Sequence, residues 1–308
     1  MESPVCELCG SPTSEVVVRQ KDLLHRVTDE VYSIVRCVPC GFLYLNPRPT
    51  EAEIGRFYPD TYYSAPAPPR RYSGVKRWVM EDYYGYPSRR PRGIIQSIRK
   101  ALLCPEMFRR CITGRTILPW VGKGRLLDIG CGHGVSAAML AQQGWEVYGL
   151  DFSRVAADHA RALLGQDRVH VGDLYSARYP DHTFDVVLMS HSLEHLYRPK
   201  TVLAEVKRIL GDHGMLVVAV PNARSWEAAL CGRWWVPWDP PRHLYHFTRE
   251  SLTRMLALAG FSVVQLRTGV TAAHFTSSVE RAWTETRSTR LPLKRSIERW
   301  LLRPFSLL

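Results

Sequence analysis

Residues 125–134 read Arg125-Leu126-Leu127-Asp128-Ile129-Gly130-Cys131-Gly132-His133-Gly134, an apolar run closed by glycines two residues apart. The run has the length and composition of a buried strand. In the turn that follows, backbone without Cβ atoms lets a ligand lie against the loop while the next helix starts tightly. A nicotinamide-binding turn would place a glycine where Val135 stands. Asp128, ahead of the glycines, suits a ligand carrying positive charge, such as an amino-acid ammonium, and suits a pyrophosphate poorly.

Further strands are expected at Trp145–Leu150, Val169–Val171, Phe184–Met189, Met215–Val220 and Phe261–Arg267. Apolar residues at helical spacing mark Ser153–Leu164, Thr201–Leu210 and Arg249–Ala259, with Gly211 and Gly260 where helix C-caps are expected. This alternation predicts an α/β fold, a parallel sheet with helices on both faces. Two more carboxylates stand at strand ends. Asp151 follows the second strand, where it can accept the hydroxyls of a ribose. Asp173 follows the third, where an acceptor for an adenine amino group is expected. Singly, each is an ordinary turn aspartate. Together they outline one adenosyl-ligand pocket at the carboxyl edge of the sheet.

Over residues 121–268 these stretches, with Phe184–Leu196, Glu205–Gly211 and Val220-Pro221-Asn222, resemble class I S-adenosylmethionine (SAM)-dependent methyltransferases. The resemblance implies a Rossmann-like sheet and a SAM pocket. In it, Asp128, Gly130, Gly132 and Gly134 hold the methionine moiety, Asp151 the ribose, and Asp173 with Leu174 the adenine. Cys131 in the turn and Phe152 after Asp151 are counted with this cofactor-binding set. Ser190 and His191 would face the sulfonium. Spermidine synthases share the fold but carry an aspartate there, so Ser-His favours methyl transfer. The family closes its sheet with an antiparallel seventh strand, and no strand is expected here after Arg267.

Cys6-Glu7-Leu8-Cys9-Gly10 and Cys37-Val38-Pro39-Cys40-Gly41 are two matching knuckles. Each spaces two thiolates to bind one metal from a tight turn, so Cys6, Cys9, Cys37 and Cys40 predict a closed, structural zinc site with no open position for catalysis. Four regions result. Residues 1–50 form a small zinc-ribbon module, 51–120 a basic, partly helical linker, 121–268 the SAM-binding core and 269–308 a basic amphipathic tail. Ribbon, linker and the stretch Asp239-Pro240-Pro241-Arg242-His243-Leu244-Tyr245-His246-Phe247-Thr248 together are similar to a bacterial methyltransferase subgroup often associated with surface-glycan or secondary-metabolite biosynthesis.

Transfer to a hydroxyl needs an in-line nucleophile and often a base. His191 is the first candidate by position, and His243, in the loop Trp234–Phe247, the second; packing of that loop onto the core is the competing role for its Trp and His residues. His191-Ser192-Leu193-Glu194-His195 is also similar to the Glu-x-x-Glu-His stretch of ubiquinone-type O-methyltransferases, whose acidic residues help bind a divalent metal. Here His191 replaces the first glutamate. The favoured acceptor is a small molecule or glycan, with O-methylation.

The chain carries 41 Lys and Arg against 29 Asp and Glu, a net charge of +12, and residues 70–125 hold fourteen of the cations. This block, with Ile94, Ile98 and Leu102 at helical spacing, fits a solvated face, an anionic membrane surface or nucleic acid. A ribosomal RNA methyltransferase using ribbon and basic block to hold RNA is therefore the enzymatic alternative. A non-catalytic zinc-ribbon binding protein on a methyltransferase-like scaffold is the other. No apolar run approaches the ~20 residues of a bilayer span and no basic-then-apolar leader opens the chain. These features predict a cytoplasmic protein, with peripheral contact at the inner membrane surface as an extension of the membrane reading.

Overall fold

A computed structural model describes residues 1–59, 62, 74–87, 118–269 and 272–286. Most of the basic block 70–125, including Ile94, Ile98 and Leu102, and the tail from 287 onward lie outside the described residues.

Two sheets organise the chain. The first is antiparallel, with strands β1 (Ser14–Lys21), β2 (Val31–Cys37), β3 (Leu43–Leu45) and β9 (Tyr245–His246) in that order. The second is parallel and holds β4 (Arg125–Ile129), β5 (Glu146–Asp151), β6 (Val169–Val171), β7 (Phe184–Ser190) and β8 (Leu210–Ala219), ordered β6-β5-β4-β7-β8. Its direction of winding reverses between β4 and β7, the place where open α/β sheets form a crevice for ligands. The α/β expectation and its Rossmann-like sheet are thus met, with five parallel strands.

The described α-helices are α1 (Gly74–Tyr83), α2 (Val135–Gln142), α3 (Arg154–Leu164), α4 (Pro199–Ile209), α5 (Trp226–Cys231), α6 (Arg249–Leu258) and α7 (Ala272–Thr286), with short 3₁₀ turns between elements. Local signals place their starts. Ser153 accepts from the Ala156 amide to cap α3, Ser225 from Ala228 to cap α5, and Thr248 and Ser251 form a reciprocal capping box on α6. Leu126, Leu127, Val186 and Val187 at the sheet centre are fully buried; each contributes about 1.5–3 kcal/mol by leaving water. One apolar cluster runs from Ile34 and Tyr44 through Tyr245 and Phe247 to Leu127 and Met189, joining the two sheets.

Two expectations are corrected. Phe261–Arg267 forms no strand: the segment has no sheet neighbour, and Val264 is 89% exposed. Gly211 is no C-cap, because Leu210 leaves α4 directly in an extended conformation (φ −76°, ψ 138°) and begins β8 beside Phe184. Gly260, by contrast, has the left-handed φ of 81° that follows a helix end. Among the described residues no strand follows β9, and no helix is long and apolar enough to cross a membrane.

Candidate active site

The glycine turn after β4 brings the chain back against its neighbours. Gly134 has φ 74°, and a Cβ there would sit 2.8 Å from Cα and Cβ of Ala160 in α3. Gly130 has φ 76°, and a Cβ there would sit 2.8 Å from Cβ of Ser192 beyond β7. Only glycine permits both the dihedral and the approach. Asp151 is buried at the end of β5, where its Oδ2 accepts the Gly132 amide at 2.8 Å and its Oδ1 the Ser153 amide at 2.9 Å. The carboxylate therefore shapes the turn. Asp128 is buried below it. Burial, helped by the neighbouring Asp151 charge, pushes its carboxyl up to about 7, so a cation arriving there meets a group ready to release a proton. Asp173 is exposed and caps its own turn, accepting the Ser176 amide at 2.7 Å; that amide holds its pKa below the usual carboxylate range. Leu174 beside it is buried, Cys131 is buried against Gly149, and Phe152 is half exposed.

β7 ends at Ser190, whose side is exposed, and the chain turns at His191 with φ 55°. A left-handed dihedral in a non-glycine residue is strain that the surroundings must hold; here the His191 amide donates to Ala219 O at 2.8 Å, at the end of β8. The His191 Nδ1 lies 3.5 Å from Glu194 Oε1, and that carboxylate raises the imidazole's pKa against the opposing effect of burial. Glu194 is 1% exposed and neither of its oxygens has a hydrogen-bond partner among the described residues. Burial pushes it up, but His191, His243 and His195 outweigh burial and leave it lowered. It is a buried carboxylate with the His191 imidazole 3.5 Å away.

Glu194, His195 and His243 form a trio in which one donor atom from each lies within 4.8 Å of the others. His195 Nδ1 is 3.1 Å from Arg242 O and His243 Nδ1 is 2.8 Å from Pro237 O. Carbonyls only accept, so both Nδ1 atoms carry a proton, and a neutral ring in this setting has its lone pair on Nε2. Burial, then the neighbouring His243, lowers His195 to about 4, which keeps it neutral at ordinary pH. Two imidazole lone pairs and a carboxylate can accept hydroxyl protons of a ligand or hold a divalent cation.

The loop carrying His243 is held by Arg242, which is fully buried. Its guanidinium donates to Asp22 Oδ1 (2.6 Å) and Oδ2 (3.1 Å), to Asp239 Oδ1 (2.6 Å) and Oδ2 (3.1 Å), and to Phe57 O (3.0 Å). All five donors are used. Trp235, Trp238 and His246 of the same loop are buried packing residues; His246 stands edge-on to Trp238, and burial keeps it neutral. From α7, Ser278 Oγ accepts the Val236 amide at 2.9 Å, and His274 stands 6.0 Å from His191, ring to ring.

Away from this crevice, Cys6, Cys9, Cys37 and Cys40 converge, their sulfurs within 4.8 Å of one another. The closest pairs cross between knuckles, Cys6–Cys40 at 3.5 Å and Cys9–Cys37 at 3.4 Å. Four sulfurs around one tetrahedral zinc stand ~3.8 Å apart, so the donor set fits that ion. Gly10 and Gly41 donate to the carbonyls of Cys6 and Cys37 and have φ of 79° and 74°. Burial pushes the Cys6 thiol up, whereas the Ser11 amide brings Cys9 down to about 7.

The glycine turn, Asp128, Asp151, Ser190 and His191 thus meet at the carboxyl edge of the parallel sheet, and His243 stands with Glu194 and His195. Asp22, Tyr58 and His274 were not singled out as site residues. Tyr58 lies in the linker, and its partners His195 and Phe152 lie too far along the chain for any spacing rule to reveal.

The family described as "Methyltransferase domain" matches residues 104–266. A protein of Mycolicibacterium smegmatis named a probable S-adenosylmethionine-dependent methyltransferase is 32% identical over 142 residues, 45% of this chain and 52% of that one. The chain thus spans about half the length of this relative. The ubiquinone biosynthesis O-methyltransferase of Thiobacillus denitrificans is 32% identical over 168 residues, 51% of this chain and 71% of that protein. The demethylmenaquinone methyltransferase of Clavibacter sepedonicus is 35% identical over 116 residues, 37% of this chain and 47% of that protein. A solved S-adenosylmethionine-dependent methyltransferase from Mesorhizobium loti aligns with a TM-score of 0.43 at 23% identity, covering 57% of this chain and 91% of the other.

Proposed function

Since this chain belongs to the methyltransferase-domain family, whose methyl donor is SAM, we propose that it transfers a methyl group from SAM to a hydroxyl of a small-molecule acceptor, a glycan among the candidates. The observation that carries this reading is the set of three carboxylates, Asp128, Asp151 and Asp173, at three successive strand ends around one glycine turn. Bound SAM supplies an electrophilic methyl on a sulfonium. Asp128 would take the ammonium, Asp151 and Phe152 the ribose, and Asp173 with Leu174 the adenine edge; Gly130, Cys131, Gly132 and Gly134 offer backbone to the methionine part, and Ser190 closes the sulfonium side.

His191 takes the acceptor proton in this reading. Glu194 beside it raises its basicity, and its ring is half exposed. Relatives named for ubiquinone biosynthesis and demethylmenaquinone methylation support a small-molecule acceptor. The four-cysteine site holds zinc as a structural ion and takes no part in transfer. Titration calorimetry is expected to give micromolar SAM binding, lost at least tenfold in Asp151→Ala; no binding at millimolar SAM would overturn the proposal. Labelled SAM incubated with acceptor extracts then identifies the product. A His191→Ala enzyme with normal turnover removes the base assignment.

A further inference from the structure

The part of the chain ahead of the family match places one side chain between the two halves of the crevice. Tyr58 follows a 3₁₀ turn at Ile54–Phe57. Its ring stands edge-on to Phe152 (centroids 5.0 Å apart, planes at 72°), next to Asp151, and edge-on to Tyr62 at 4.8 Å. Its hydroxyl lies 2.9 Å from His195 Nδ1. The turn is fixed from beneath, because Arg242 donates to Phe57 O and lies 5.9 Å from the centroid of the Tyr62 ring. The phenol of Tyr62 stands within the fields of Asp239, Arg242, Glu194 and Asp151, charges drawn from both halves.

We infer that Tyr58 is a positioning residue of the methyl-transfer site, its ring closing the ribose end of the cofactor over Phe152 and its hydroxyl fixing the orientation of His195. The inference rests on the cofactor reading above. It also makes Phe57, Tyr58 and Tyr62 part of the wall of the active site, although they lie outside the matched domain. The physical basis is that His195 Nδ1–H has two oxygen acceptors within reach, Tyr58 Oη and Arg242 O. Two acceptors on one face hold the ring against rotation and keep its Nε2 lone pair directed at the trio. An edge-on aromatic contact adds about 0.5–1.5 kcal/mol, a few-fold to about tenfold in ligand affinity if the ligand depends on Phe152 staying in place.

The test uses the full chain, SAM as probe, and the variants Tyr58→Phe and Tyr58→Leu. Tyr58→Phe keeps the ring, so SAM affinity should stay within twofold of wild type. In ¹⁵N-histidine-labelled protein, however, loss of one of the two acceptors on Nδ1–H should move the His195 ring shifts away from their wild-type values. Tyr58→Leu should show the same shift and bind SAM about tenfold more weakly. Tyr58→Met, nearer in volume, replaces the Leu variant if that one does not fold. Unchanged SAM affinity in the Leu or Met variant, together with unchanged His195 shifts in the Phe variant, would overturn the inference. Failure of the wild type itself to bind SAM would sink the cofactor reading and the ring half with it, while the His195 shifts would still decide the hydroxyl half.

Discussion

The cofactor side of the crevice is shaped by contacts between near neighbours: Asp151 accepts from Ser153, two residues on, and from Gly132, nineteen residues back. On the acceptor side, Arg242 reaches Asp22 at a separation of 220 residues and Phe57 at 185, and Tyr58 meets His195 at 137. Short separations let a turn form as the strand and helix beside it form. Long separations require the chain to return on itself, and each such contact must offset the order it imposes. The first side should therefore tolerate damage to the second better than the reverse.

The largest expected effect comes from Arg242→Met. Removing the guanidinium leaves Asp22 and Asp239 buried without a countercharge, at a cost of about 3–5 kcal/mol. Denaturant unfolding should show that loss. If the comparison is sound, the folded fraction still binds SAM within a few-fold of wild type; a matching collapse of SAM affinity would break it. Gly134→Ala is the reciprocal experiment. It combines a left-handed alanine with a 2.8 Å approach to Ala160 and should cost about 2 kcal/mol, seen as a lower Tm and weaker SAM binding. Metal content at the cysteines should stay the same.

Acid and base separate the halves next. Asp128 titrates near 7 when folded, above its ordinary 3.8, so the folded state holds a proton the unfolded chain has lost. Its contribution to stability therefore falls as pH rises from about 4 to 7. SAM's ammonium favours the ionised carboxyl, so SAM affinity should climb by up to tenfold per pH unit below 7, with proton release visible as buffer-dependent calorimetric enthalpy. His195, lowered from 6.5 to about 4, does the opposite. The unfolded chain binds the extra proton, so stability from the acceptor side is full above 6.5 and is lost as pH falls toward 4. A SAM affinity flat between pH 5.5 and 7.5 would deny Asp128 its place. The smallest effect is expected at Asp173→Ala, which forfeits one exposed amide bond to Ser176, about 1 kcal/mol or less, and should change SAM affinity more than Tm.

The same division governs what the sequence made legible. The strand 125–129, its glycine turn and the carboxylates at 151 and 173 could be read because strand period, glycine spacing and position after a strand are local rules. The four cysteines were readable for the same reason. Phe261–Arg267 was misread because its alternating apolar residues satisfy a strand pattern that no neighbouring strand completes. Gly211 was misread because glycine after a helix has two fates, and Leu210 had already turned extended. For Arg242, the string Asp-Pro-Pro-Arg-His named a loop but not its anchor, since Asp22 carries no mark distinguishing it from a turn residue. Tyr58 was visible only as an aromatic in a linker.

One pairing bears on how the molecule is made. Leu43 and Tyr44 of β3 face His246 and Tyr245 of β9, so the first sheet gains its last strand only when residue 246 has emerged from the ribosome. At ~5–20 residues per second, the edge of β3 waits on the order of ten to forty seconds with its amides and carbonyls open to any passing strand. The cysteine knuckles are complete by residue 41 and can take up metal long before that. On the zinc site proposed above, metal supply during synthesis sets how early the ribbon folds, and scarcity of zinc should show first as aggregation of newly made chains rather than as loss of activity in old ones.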